Sequence, residues 1–287
     1  MKTLILLFTL LTIDFINAYS QVVDTESKLQ HPKSTASKNV KILSNEFHFK
    51  SLGVKRRVWI YLPNGYENSS KRYKVLYMHD GQNLFDATTS PFGEWGVDEA
   101  LDTLNKNIIV VGIDNGSSER LSEYSAFDFK VNADEKNVWD VKAKGARYLD
   151  DIVNDLMPYV ENAYRVKRGK QNTFIAGSSM GGLISYYALF LYPDKFSKAG
   201  VFSPSFWVSK DRYVEMTQNH QNKLGDIYMI AGDLEGRSYI SDMYDVSKII
   251  QLKKLCKNIY VEEVKNARHN EKFWSSKFPE FIAWLQL

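Results

Sequence analysis

One cysteine, Cys256, in 287 residues leaves no partner for an intramolecular disulfide and rules out a thiolate-built zinc or iron–sulfur site. Charge of one sign is scarce as well. The 37 Lys and Arg against 34 Asp and Glu give a formal +3, too little to capture nucleic acid electrostatically, and no long basic run adds to it. There is no H-E-x-x-H, no glycine-rich calcium loop and no P-loop lysine motif, so no metal site is expected. Internal repeats are missing too. The apolar run near the start, Leu4 to Ile13, is shorter than the roughly 20 residues of a membrane span. With Lys2 before it and Ala18 and Ser20 after it, it has the layout of a secretory signal peptide over residues 1–20. A polar tether is expected over 21–38, followed by a mature chain without a membrane span, periplasmic or secreted. What remains is an ordinary globular composition, 44% hydrophobic and 25% charged, able to bury a core without disulfides.

From Val40 the hydrophobic pattern changes. Phe47, Phe49, Val54, Val58, Ile60 and Leu62 stand at strand spacing, and Pro63-Asn64-Gly65 ends the run, which predicts an antiparallel hairpin. Short β-branched or apolar runs follow at 74–78, 108–113, 173–176, 199–202, 227–231 and 259–264. Helical patterns separate them at 97–104, 147–163, 180–191, 243–255 and 273–285. Buried strands alternating with helices imply a mostly parallel sheet covered on both faces, in a single α/β domain over 39–287.

Chemistry concentrates at Gly177-Ser178-Ser179-Met180-Gly181-Gly182, a G-x-S-x-G turn between a strand and a helix. Such an elbow projects the serine hydroxyl from a sharp turn and makes Ser179 the candidate nucleophile. Of the five histidines, His31 falls in the tether and His48 in the hairpin, whereas His269 follows the last strand, in the loops that gather at the carboxyl edge of a parallel sheet. His269 is therefore the candidate general base. Between serine and histidine the strand at 227–231 runs into Gly232-Asp233-Leu234-Glu235-Gly236. Glu235 is the expected acid, with Asp233 the alternate, because Asp233 sits where aspartates turn the chain and Glu235 has the longer reach. The loop His79-Asp80-Gly81-Gln82 leaves an early strand with glycine at its bend. In a hydrolase of this layout it supplies an oxyanion-binding N–H, here assigned to Gln82, with Met180 giving the other. His79 and Asp80 are read as holding that loop in shape.

These residues, with Arg120-Leu-Ser-Glu123-Tyr124 and Ser203-Pro204-Ser205-Phe206-Trp207, make the chain from about Lys55 to its end resemble the putative-esterase family of α/β hydrolases, which includes feruloyl, siderophore and mycolyl-transfer enzymes. The resemblance implies the α/β-hydrolase fold, a Ser, Glu and His triad, and no metal or organic cofactor. It implies a carboxylic ester as substrate, carried by a small molecule or a carbohydrate. Trp95 and Trp207 are candidate groove residues, and Arg120 is a candidate contact for an anionic ester or a partner for Glu123. The charged loop before His269 departs from the glycines that relatives often place there. The same acyl-enzyme would serve transfer to an acceptor other than water, and a binding protein that keeps the fold is the alternative of a different class.

Overall fold

The short apolar runs fold into strands because each must bury both faces. The computed structural model describes residues 33–132 and 138–287; the expected signal peptide and residues 21–32 of the expected tether lie outside them. The strands are β1 (Val40–Phe49), β2 (Val54–Tyr61), β3 (Lys74–His79) and β4 (Ile108–Ile113), then the separate pair β5 (Phe129–Asn132) and β6 (Val138–Val141). After these come β7 (Thr173–Ser178), β8 (Lys198–Phe202), β9 (Asp226–Gly232) and β10 (Ile259–Val264). An eight-stranded sheet has the order β1-β2-β4-β3-β7-β8-β9-β10. β1 and β2 pair antiparallel, as do β2 and β4, while the pairs from β4 across to β10 are parallel. This is the mostly parallel sheet with an amino-terminal hairpin that the hydrophobic pattern predicts.

Alternate residues of one strand feed opposite cores. Val75 and Tyr77 of β3 join the cluster that holds Tyr148, Leu183, Tyr213 and Val246, whereas Leu76 and Met78 join the one that holds Val97, Leu101, Phe278 and Phe281. Besides a single turn at Arg120–Glu123, the α-helices are α1 (Val97–Thr103), α2 over 145–163 with a π-helical turn at Ile152–Leu156, α3 (Met180–Leu191), α4 (Lys210–Asn219), α5 (Arg237–Lys253) and α6 (Glu271–Trp284). Cluster membership puts α1 and α6 on one face of the sheet and α2 to α5 on the other. Helix α5 starts six residues before the expected Met243, on the polar stretch from Arg237, and α4 was not expected, having only Tyr213 and Thr217 buried. Helix α6 begins earlier than expected because the Asn270 side chain caps it, accepting from the Phe273 N–H at 3.0 Å. Among the described residues no helix is long and apolar enough to cross a membrane.

Polar anchors fix the hairpin. The fully buried Asp151, on α2, accepts the Ser51 N–H at 2.6 Å and the Leu52 N–H at 3.0 Å, tying the β1–β2 turn to the helix face. Arg147 of the same helix donates to the Ser51 carbonyl. Two charge-assisted bonds at one carboxylate make Asp151→Ala a loss of about 2–4 kcal/mol in urea unfolding. A loss below about 1 kcal/mol would assign the turn to packing and Arg147 instead.

Candidate active site

The turn after β7 is possible because glycine surrounds it. Ser179 sits at φ 59°, ψ −122°, a strained conformation for a residue with a side chain. A Cβ on Gly177 would lie 2.8 Å from the Gly181 backbone, and one on Gly182 would lie 2.7 Å from the Phe202 carbonyl. The strand, the turn and α3 therefore close to backbone contact, and the Ser179 N–H is tied to the Phe202 carbonyl at 2.9 Å. Met180 follows as the first residue of α3, where an N–H has no intrahelical acceptor. The Ser179 hydroxyl meets Ser205 Oγ at 3.2 Å and is not hydrogen-bonded to His269, although both line one open cavity of about 780 Å³.

Glu235 and His269 come together across two loops. Asp233 N–H bonds the Val264 carbonyl and Leu234 N–H the Ala267 carbonyl, both at 3.0 Å, so the loop after β9 is zipped to the loop after β10. The charged histidine loop turns without glycine because Asn266 takes the left-handed conformation, φ 57°, which asparagine tolerates. His269 Nδ1 lies 2.8 Å from Glu235 Oε2, and the Glu235 side chain is wholly buried. The other carboxylate oxygen accepts from Ser203 Oγ at 2.7 Å and from the Gly232 N–H at 2.8 Å. Ser203 Oγ in turn accepts from Trp274 Nε1 at 2.8 Å. An indole N–H only donates, so the direction is set: Trp274 to Ser203, Ser203 to Glu235, leaving Oε2 for the imidazole. Trp274 also packs edge-on against the His269 ring, centroids 5.0 Å apart. Asp233 points elsewhere, toward Lys265 at 3.7 Å.

The loop after β3 forms the opposite wall. Asp80 takes φ 57°, and a Cβ on Gly81 would stand 2.7 Å from the Ile113 backbone, so the loop lies directly on β4. Gln82 is pinned at both ends: its carbonyl accepts from Thr89 Oγ1 at 2.7 Å and Ser90 Oγ at 3.0 Å, and its side-chain oxygen accepts from the Asn115 N–H at 3.2 Å. Its own N–H precedes the first bonded turn of the short helix Gly81–Asn83, whose first bond runs from Asn83 N–H to the Asp80 carbonyl.

Charge pairing here differs from one expectation. Arg120 binds Asp80 through Nε at 2.7 Å and Nη2 at 2.9 Å, and Glu123 pairs with Arg56 instead. Burial opposes ionisation of Asp80, but Arg120 and an Asn115 donor hold its carboxyl below the usual range. His79 is buried with Nδ1 2.8 Å from the Tyr148 hydroxyl, and burial pushes it down to about 3, which keeps it neutral. The groove tryptophans are corrected as well. Trp95 is 3% exposed, packed edge-on against Phe202 and Phe278 in the core. Trp207 is half-exposed but reaches the Tyr239 hydroxyl instead of the cavity wall. The aromatic residues that do line the cavity are Phe92 and Trp274. Sequence reasoning passed over Ser203, Ser205 and Trp274, of which only the S-P-S-F-W spelling gave any sign.

Comparison with known proteins bears on the fold and the family. The protein YbbA of Bacillus subtilis (strain 168) is 27% identical over 242 residues, covering 80% of this chain and 92% of its own. Among solved structures, a ferulic acid esterase superposes with a TM-score of 0.65 at 18% identity, over 86% of this chain and 98% of that one. The enterobactin esterase of Shigella flexneri, solved in the presence of enterobactin, superposes with a TM-score of 0.68 at 18% identity over 87% of this chain, which spans only 60% of that enzyme. At such identities the structures establish a shared fold. A family model described as putative esterase matches residues 50–285, and the chain belongs to that family.

Proposed function

We propose that this chain is an exported serine esterase that hydrolyses a carboxylic ester through an acyl-enzyme on Ser179, with Glu235 and His269 completing the triad. The observation that carries the reading is the conjunction of an elbow serine and a histidine held 2.8 Å from a fully buried carboxylate on one cavity. Ser179 exchanges its Ser205 partner for His269 Nε2 and attacks the ester carbonyl, and its proton passes to the imidazole. The carbonyl oxygen, now an oxyanion, takes the N–H groups of Gln82 and Met180. His269 returns the proton to the departing alcohol, then draws one from water, whose oxygen attacks the acyl carbon; the bond from that carbon to Ser179 Oγ breaks, His269 gives the proton back to Ser179, and the acid leaves. Glu235 keeps Nδ1 protonated throughout, and its own charge is held by Ser203 and Gly232.

The substrate belongs to the small-molecule or carbohydrate esters, a class supported by relatives named for ferulic acid and enterobactin. No metal or organic cofactor enters this mechanism. Export is supported by the charged start and short apolar run of residues 1–20. Mass spectrometry of periplasmic or secreted protein should find the first twenty or so residues removed; intact Met1 on protein in the cytoplasm would refute export.

Kinetics on a simple aryl ester test the triad. Ser179→Ala should lower kcat by about 10⁶. Glu235→Gln should lower it toward 10⁴-fold, roughly the loss for an amide in the acid position. Asp233→Asn should act within about twofold, because that carboxylate faces Lys265 and not the imidazole. The reverse order for the two acids would move the role to Asp233. Ser203→Ala, which leaves Glu235 one donor short, should lower kcat about tenfold with KM little changed; an unchanged kcat would remove Ser203 from the positioning chain.

A further inference from the structure

The Asp80–Arg120 ion pair closes off the arginine that the sequence singled out as a substrate contact, yet another arginine lines the same cavity. Arg57 lies within β2, one residue before its pairing with β4 begins at Val58, and its carbonyl accepts the Asp114 N–H at 3.1 Å just beyond β4. Its Nε donates to Asp114 Oδ2 at 2.8 Å, and its guanidinium lies over the Trp59 ring, 4.6 Å from the centroid. Asp114 is held in turn, since its other oxygen accepts from Trp59 Nε1 at 2.8 Å. Backbone, carboxylate and indole therefore fix one guanidinium from three directions on rigid elements. Its Nη1 and Nη2 hydrogens find no acceptor among the described residues, and the side chain stays a third exposed.

We propose that Arg57 is the specificity residue of the cavity and takes a carboxylate carried by the ester substrate. The inference rests on the esterase reading above and goes beyond it in naming a recognition group. A guanidinium presents its donors as a planar fork, and a carboxylate is the group that fills two of them at once in charge-assisted bonds. A hydroxyl fills one. The lysine alternative would provide a point charge without the fork, and Arg120 gives its Nε–Nη2 edge to Asp80 and a further Nη2 contact to the Ser178 carbonyl at 3.4 Å, leaving Nη1 alone without an acceptor among the described residues. Of the acids along the wall, Asp80 is neutralised by Arg120 and Asp114 lies on the Nε side of Arg57. Glu271 also faces the cavity, and burial pushes its carboxyl up.

Matched esters isolate the effect. On the acyl side the pair is 4-nitrophenyl hydrogen succinate and 4-nitrophenyl butyrate; on the alcohol side it is 3-carboxyphenyl butyrate and phenyl butyrate. With full-length mature protein, Arg57→Gln should lower kcat/KM about 10- to 100-fold for the carboxylated member of one pair, through KM, the loss expected for a hydrogen-bonded charge. The neutral partner should change less than about twofold, and Arg57→Lys should recover only part of the loss. Equal changes within both pairs, or wild-type turnover confined to the neutral esters, would overturn the role of Arg57 while leaving the esterase reading intact. No turnover of any of the four, with no labelling of Ser179, would instead defeat the esterase reading itself.

Discussion

The close approach of the β7–α3 turn to its neighbours is the constraint on which the site depends. With Ser179 forced to φ 59° between glycines that sit at backbone contact, its hydroxyl is presented to the cavity while Met180 offers an uncommitted helix-terminal N–H beside it. In the proposed mechanism one backbone conformation thus provides both nucleophile and oxyanion donor. The strain is tolerable because the sheet holds it: Ser179 is tied to Phe202 at the end of β8, and Gly182 packs on the carbonyl of the same residue.

Polar groups around this turn are arranged in chains with a defined direction. Trp274 donates to Ser203 and Ser203 to Glu235, so a fully buried carboxylate has its charge shared over fixed donors and retains one oxygen for His269. A buried carboxylate without such donors would be expensive, and loss of any one leaves part of that penalty unpaid. The same edge of the sheet carries three arginine–carboxylate pairs, Arg120 with Asp80, Arg57 with Asp114 and Arg56 with Glu123. They differ in what they leave over: Asp80 takes both Nε and Nη2 of Arg120, and Asp114 takes only Nε of Arg57.

Most of the sheet was legible in the sequence because strands buried on both faces must be apolar at nearly every position, as in Ile108-Ile-Val-Val-Gly-Ile113. The elbow was legible for a related reason, since glycine is demanded at fixed offsets by backbone contact. Helix α4 escaped because its polar sequence buries little beyond Tyr213 and Thr217, and the β5–β6 pair escaped because β6 is exposed at all but Val141. Side-chain partners were harder. Arg120 carries no mark in the sequence that its partner is Asp80, 40 residues away, and not Glu123 beside it. Trp95 reads as a groove residue or a core residue equally well until the aromatic cluster with Phe202, Phe278 and Trp274 assigns it to the core. Ser203 and Ser205 are small and common, and their importance lies wholly in what the end of β8 places them against.

The most direct measurement is peptide mapping after reaction with a fluorophosphonate, which adds covalently to a serine only when that serine is activated. The account predicts a single adduct, on the peptide that contains Ser179, forming rapidly in the wild type and very slowly in His269→Ala. An adduct on another residue, or ester turnover that continues with Ser179 unmodified, would contradict it.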